Sequence, residues 1–445
     1  MTKVTLIHNA RLVNEGKTIV QDVLISAGRI EHIGPERRHS LAEEIDAGGM
    51  VLMPGIIDDQ VHFREPGLTH KADIASESRA GLAGGVTSFM EMPNTVPHAT
   101  TQVLLEEKYA IASKQAFSNY SFYLGATDQN LDEIKRVDSR RVCGVKIFMG
   151  SSTGDLLVAN DRALEGIFRE SPILIATHCE DEIMYRQKQE EYRVNFCDEI
   201  PASAHEFIRS AEGCLASSSK AVHLARQFGS RLHILHISTL DELPLFTSDL
   251  PLDQKKITAE VCVHHLFLDS SQYATLHNKI KCNPSIKHAR HREALMKALR
   301  DGRLDVVATD HAPHSLPEKT GSYLQSASGL PLIQHSLQIM LTLHHDGLIS
   351  LEEIVTKMCH HPAVCFKVKD RGFIREGYHA DLVLVNPDER VLVTRDNVFY
   401  KCGWSPLENF QLRGEILSTW VNGSLAYHRG TFNPVKTAQR LEFER

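Results

Sequence analysis

The sequence predicts an α/β protein, a (β/α)8 barrel carrying a small β-sandwich domain built from both chain ends. Three observations carry that expectation. Eight apolar runs of strand character alternate with helix-periodic segments through the middle of the chain, both ends share an alternating β texture, and polar residues of metal-ligand type recur where the apolar runs stop. A doubly wound open sheet is the competing architecture, but no G-x-G-x-x-G or Walker A loop follows an early strand.

The first fifty residues contain VTLIHNARLV and DVLISAGRIEHIG, broken by Gly16, Gly28 and Gly34, with no helical period. They read as a small antiparallel β segment. The expected barrel strands are Val51 to Phe63, Gly85 to Met92, Ser118 to Ala126, Val142 to Gly150, Ile173 to Glu180, Leu232 to Thr239, Ile257 to His265, and Asp305 to His311. Between them, TQVLLEEKYAIASKQAF, ASAHEFIRSAEGCLASSSKAVHLARQFG and HREALMKALRDG place apolar residues at the three- and four-residue spacing of amphipathic helices. In the tail, ADLVLVNPDERVLVT is followed by ILSTWVNGSLAYHRG, where Asn422-Gly423 between apolar runs signals a two-residue hairpin. The expected division is 1–50 and 366–445 in the small β domain and 51–365 in the barrel.

Composition narrows the function classes. A chain of 445 residues, 42% hydrophobic and 24% charged, can bury one large core and a small extra domain. It has no run of 18 apolar residues and no signal-peptide zones in its first twenty, so a soluble, cytoplasmic protein is expected. Nine cysteines, from Cys143 to Cys402 without a C-x-x-C pair, argue against a disulfide framework or a cysteine-zinc module. Cys143, Cys179 and Cys262 read as small buried apolar groups, not nucleophiles. The net charge of -7 comes from 56 acidic and 49 basic residues intermixed, which argues against nucleic acid or another polyanion as partner.

The strongest local signal is GIIDDQVHFREPG, an apolar strand running into Gln60, His62 and Arg64 at alternate positions, which share one face of a strand. At the C-terminal end of a barrel strand that face opens into the active-site mouth. His62 alone would read as a hydrogen-bonded core histidine. His178 in ILIATHCE, His236 in LHILHIST and Asp310 in DVVATDHAPH repeat the pattern on three other strands, and together they point to a metal centre. Imidazole nitrogen with carboxylate oxygen suits zinc better than magnesium. Asp58 and Asp59 are not counted as ligands, Asp59 because its parity is that of the opposite strand face. His264 and His265, adjacent on an expected strand, point to opposite faces, and both are left out of the site. Lys146 lies inside the apolar strand GVKIFMGSS, where an ammonium is costly to bury unless it snorkels to the strand end.

The ordered set DDQVHFREPG, EMPNT, GVKIFMGSS, THCED, HIST, TAEVCVHH, NPSIK and TDHAPH resembles the amidohydrolase superfamily, and within it the dihydroorotases. The likeness runs from PGIID to the GYHADLVLV segment. It implies that His178 and His236 bind one zinc and His62 and Asp310 another, with a carboxylated Lys146 bridging them. It also implies that Arg64, Asn94 and His314 hold a substrate carboxylate, that Asn283 contacts a pyrimidine ring, and that KTGSYLQSASGLP sets backbone groups against that ring. His311 is expected to be structural. The sequence departs from the family where the usual first-strand H-x-H is Gln60-Val61-His62, putting a weak amide in place of an imidazole, so one or two zinc ions per chain are expected.

The reaction implied is the reversible cyclisation of N-carbamoyl-L-aspartate to L-dihydroorotate in pyrimidine biosynthesis, with Asp310 as proton carrier. Allantoinases usually carry asparagine where this chain has Arg64 and lack its M-P-N-T loop, but allantoinase or dihydropyrimidinase chemistry is the alternative within the enzyme class. From another class comes an inactive dihydroorotase-like partner of aspartate transcarbamoylase. A homodimer follows from symmetry base rates.

Overall fold

The structure, a computed structural model, describes residues 4–35, 42–150 and 156–445; Ser151 and Ser152 of GVKIFMGSS lie outside them. The chain ends meet in one nine-stranded sheet. Its N-terminal strands are β1 (Val4–Asn14), β2 (Lys17–Ser26), β3 (Arg29–Gly34), β4 (Ala42–Asp46) and β5 (Val51–Pro54).

The nine staves of the barrel are β6 (Ile56–Val61), β7 (Val86–Glu91), β8 (Asn119–Phe122), β9 (Leu124–Gly125), β10 (Val145–Phe148), β11 (Ile175–His178), β12 (Leu232–Ile234), β13 (Ile257–Cys262) and β14 (Val306–Ala308). β8 and β9 are one strand interrupted at Tyr123, which makes eight positions around the ring. Neighbours pair in parallel, and a parallel bridge between Val61 and His311 closes the barrel. The terminal sheet is completed by β15 (Leu382–Leu392), β16 (Gln411–Val421), β17 (Ser424–His428) and β18 (Thr431–Phe432), in the order β18-β17-β16-β15-β5-β1-β2-β3 with β4 on β1.

Two expectations about the N-terminal part are corrected. The segment is not purely antiparallel, because β4 and β5 both run parallel to β1. A bulge between Ile7 and Ala10 divides β1, its first half pairing with β4 and its second with β5. The run Val51 to Phe63 is also not one barrel strand. Its first four residues pair with β1 and β15 in the terminal sheet, and only from Ile56 does it join the barrel. Gly55 allows the transfer, since a Cβ there would lie 2.0 Å from Thr87 Oγ1 of β7. The Asn422-Gly423 hairpin forms as expected, with φ of 49° and 75° and Val421 paired to Ser424.

Helices Ile74–Ala83, Gln102–Gln115, Asp161–Glu170, Ala211–Phe228, Ala289–Arg300 and Ser336–His345 surround the barrel. Leu105, Leu164, Val222 and Leu295 from them form one core with Phe89, Val145, Ile175 and Leu232 from the strands. Each such buried side chain contributes about 1.5–3 kcal/mol. The connection from β12 to β13 departs from the βα pattern and has only the 3-10 turns Leu243–Leu245 and Leu252–Gln254, because Pro244 and Pro251 interrupt any helix there. The C-terminal tail ties onto the N-terminal ends of the strands, where the Arg445 guanidinium donates to the carbonyls of Val142, Cys143 and Phe366. All nine cysteines are free, and among the described residues no helix is long and apolar enough to cross a membrane.

Candidate active site and metal centre

The polar residues singled out in the sequence gather at the C-terminal ends of the barrel strands. Lys146 lies within β10 and His178 ends β11; His62, Asn94, His236 and Asp310 follow β6, β7, β12 and β14 within three residues. Arg64 and His314 lie in the loops after β6 and β14, and Asn283 lies between β13 and the helix Ala289–Arg300. Arg64, His236 and Asp310 have φ of 68°, 41° and 46°. Non-glycine residues in this left-handed region carry about 1–3 kcal/mol of strain each and concentrate at functional sites.

Two pairs of candidate ligands face each other. On one side Gln60 Nε2 donates to Asp310 Oδ1 at 3.0 Å, and His62 Nε2 lies 3.2 Å from the same oxygen. His62 Nδ1 donates to Asn94 Oδ1 at 2.8 Å. Burial keeps His62 neutral by pushing its pKa down, so its Nε2 turns a lone pair toward a carboxylate oxygen, an arrangement that a cation relieves. On the other side His178 Nδ1 and His236 Nε2 are 2.9 Å apart. Both rings are neutral, again through burial. Lys146 lies on β10, which pairs with β11 so that Phe148 stands opposite His178. Lys146 is 1% exposed, burial brings its amine down to about 8, and it packs 4.6 Å from the Phe148 ring. This donor set of imidazoles, carboxylate and depressed amine fits a divalent metal of the zinc type.

Beside it lies a cationic cradle. Arg64, 2% exposed, donates through Nε to Pro313 O at 3.1 Å and lies 3.2 Å from His314 Nε2. Lys71 Nζ donates to His314 Nδ1 at 3.1 Å, which leaves the His314 Nε2–H for Ser328 O at 3.0 Å. Trp404 Nε1 fixes the His314 carbonyl at 2.7 Å. Lys71 pairs with Glu318 at 2.7 Å, but among the described residues no carboxylate lies within ion-pair distance of Arg64, whose pKa burial lowers to about 10. Asn283 Oδ1 is buried, with no hydrogen-bond partner among the described residues.

Strand parity misplaces several residues. Arg64 does not share a strand face with Gln60 and His62, because β6 ends at Val61 and a left-handed turn redirects it. Asp59 does not point away from the interior. A register shift between Asp58 and Val61 lets Asp59 reach across the barrel, its Oδ2 lying 3.2 Å from His233 Nε2 of β12. Glu260 Oε2 of β13 stands 3.4 Å from the same nitrogen. Burial lowers His233, but hydrogen bonds and charge from the two acids outweigh it and carry the ring up to about 9. Nor do His264 and His265 lie on opposite strand faces, since the strand ends at Cys262 and both fall in the helical turn Val263–Phe267. His311 pairs with Glu77 at 2.8 Å and accepts from the Leu332 and Ile333 amides, away from the mouth.

Lys71, Glu180 and Arg209 were missed in the sequence. Glu180 Oε2 lies 3.1 Å from His178 Nε2 and receives Arg209 Nη1 at 2.8 Å. The H-x-E spacing of His178 and Glu180 was a visible signal for the first contact. Nothing local announces Arg209, 29 residues further on.

The amidohydrolase family profile matches residues 51–426. A dihydroorotase of Halobacterium salinarum is 32% identical over 396 residues, covering 87% of this chain and 89% of its own. One of Carboxydothermus hydrogenoformans is 32% identical over 439 residues, covering 95% and 97%. Among solved structures, the L-hydantoinase (dihydropyrimidinase) of Arthrobacter aurescens superposes with a TM-score of 0.93 at 24% identity, covering all of both chains. The dihydropyrimidinase of Brevibacillus agri NCHU1002 does so with 0.89 at 22%, covering 99% and 100%. At such identities the structural likeness speaks for the fold alone. With ligand-type residues at the C-terminal ends of the barrel strands and the family profile spanning most of its length, this chain is a hydrolase and belongs to the amidohydrolase family.

Proposed function

We propose that the chain is a zinc-dependent dihydroorotase, interconverting N-carbamoyl-L-aspartate and L-dihydroorotate in the cytoplasm. The observation that carries this reading is the buried Arg64 guanidinium, held by the Pro313 carbonyl and facing no carboxylate of its own among the described residues. A buried charge of this kind calls for an anionic partner, and a ring bearing a carboxylate supplies one where dihydrouracil or hydantoin does not. The dihydroorotase names of the sequence relatives support the same substrate.

His62 and Asp310 on one side, His178 and His236 on the other, and a carboxylated Lys146 between them would hold zinc, whose chemistry is Lewis acidity toward water and toward the ring carbonyl. The chain's own residues do the rest. Arg64 grips the substrate carboxylate, with Asn94 and His314 beside it, and fixes the scissile amide relative to Asp310. Asp310 takes a proton from the attacking water and returns it to the departing ring nitrogen. Asn283 Oδ1 is free to accept from a ring N–H.

A second reading, an inactive partner of aspartate transcarbamoylase, is favoured by Gln60, whose amide occupies Asp310 Oδ1. The deciding experiment is hydrolysis of dihydroorotate, dihydrouracil, hydantoin and allantoin by zinc-reconstituted protein. We expect kcat/KM for dihydroorotate to exceed that for dihydrouracil by on the order of 10⁴, the discrimination of a site with a dedicated polar contact. Comparable rates on the neutral rings would overturn the substrate assignment, and no turnover on any of the four would support the inactive partner.

A further inference from the structure

At the end of β13 the chain turns directly into Val263–Phe267, and the turn brings three side chains together. Cys262 Sγ and a ring nitrogen each of His264 and His265 lie within 4.8 Å of one another. Cys262, His264 and His265 are 0%, 1% and 3% exposed. Among the described residues neither ring nitrogen of His264 has a hydrogen-bond partner, nor does His265 Nδ1. His265 Nε2 lies 3.2 Å from Pro284 O, to which it donates, so its Nδ1 carries a lone pair. Burial holds both rings in the neutral form that a metal requires, His264 down at about 4.

Buried polar atoms are normally satisfied, and three unsatisfied imidazole nitrogens around one thiol are an exception that asks for a ligand. In the other buried cluster, Asp59, His233 and Glu260, the Asp59 oxygens also lack a hydrogen-bond partner among the described residues, but the His233 ring stands at 3.2 and 3.4 Å from the two acids as their counter-charge, so that group already holds its own cation. In a tetrahedral zinc site with bonds of about 2.0–2.3 Å, ligand atoms stand about 3.3–3.8 Å apart, so small side-chain rotations would close this group around an ion.

We propose that Cys262, His264 and His265 form a further transition-metal site of zinc type, with two imidazole nitrogens and one sulfur as ligands, separate from the His, Asp and Lys centre. The Cys262 thiol gives up its proton to solvent as the ion binds, and the thiolate becomes the third ligand. The site adjoins the position where the family's imidazole is replaced, since Cys262 Sγ lies 3.9 Å from Gln60 Oε1, leaving that amide oxygen or water for the fourth position. The proposal is independent of which cyclic amide the enzyme hydrolyses.

The test uses Co²⁺ added to chelator-stripped full-length protein without oxygen. None of the other candidate ligands carries sulfur, so a near-ultraviolet sulfur-to-cobalt charge-transfer band reports this site alone. We expect the band in the parent protein, its loss in Cys262→Ser, its retention in Cys179→Ser, and an apparent Kd for the band raised about tenfold or more in His264→Gln. Cobalt-saturated parent protein without the band, or a band that survives Cys262→Ser, would overturn the proposal. If Cys262→Ser does not fold, the parent spectrum and His264→Gln decide it: a band unchanged in strength and affinity in that variant counts against the site.

Discussion

Glu180→Gln isolates the carboxylate that stands behind His178. Burial alone would raise this carboxyl, but the Arg209 guanidinium at 2.8 Å and the His178 ring outweigh it and bring it from 4.5 down to about 2. A carboxyl whose folded pKa lies below its unfolded value contributes stability fully above about pH 4.5 and loses it as pH falls toward about 2. At about 1.4 kcal/mol per pH unit, the contribution at neutral pH is about 3 kcal/mol. Glutamine keeps the shape and an acceptor but removes the charge, leaving Arg209 buried at 5% exposure without a counterion. It also weakens the partner that orients His178, which typically costs 10- to 100-fold in metal affinity, or about 1.4–2.8 kcal/mol. Denaturant unfolding of metal-free protein between about pH 7 and pH 3, with chelator competition for the zinc Kd, measures both effects. The variant should be about 3 kcal/mol less stable at neutral pH, with the gap narrowing as pH falls below about 4.5. Glu180→Gln combined with Arg209→Met should recover stability without recovering zinc affinity. A pH-independent stability difference together with an unchanged zinc Kd would refute the reasoning.

Arg64→Met should raise KM for dihydroorotate by about 100-fold or more while leaving any slow turnover of dihydrouracil unchanged, because a neutral ring makes no use of the guanidinium; steady-state kinetics on both substrates checks this. Asp310→Asn should abolish turnover with the fold intact, read from kcat alongside the unfolding curve. Gln60→His should tighten zinc on the Asp310 side, since it removes the amide donor now on Asp310 Oδ1 and adds an imidazole; elemental analysis and chelator competition report it. Gly423→Ala should destabilise the terminal sheet by about 1–3 kcal/mol, because the residue has φ of 75° and its Cβ would meet Gly28 Cα at 2.7 Å.

What is legible in the sequence without a structure extends to a barrel strand within each of the eight apolar runs, to the hairpin at Asn422-Gly423 and to the ligand types at the strand ends, though not to the transfer between sheets inside Val51 to Phe63. Each of these is a local property: an apolar run, a turn dipeptide, a polar residue where the run stops. The structure brings His62 to Asp310 and His178 to His236, and sets Arg64 beside His314. What failed was the extrapolation of strand parity past points where the strand is no longer regular. The register shift in β6 turned Asp59 inward, and the end of β13 at Cys262 put His264 and His265 on one turn.

The sequence by itself determined the alternation of strands and helices and the chemistry available at the barrel mouth, because hydrophobic period and residue type are written locally. Only the tertiary structure decided which groups meet. The Arg209 counterion of Glu180, the Lys71 contact to His314 and the cross-barrel pairing of Asp59 with His233 join residues 29, 243 and 174 positions apart, and closure of the ring is what brings them within hydrogen-bonding or ion-pair distance.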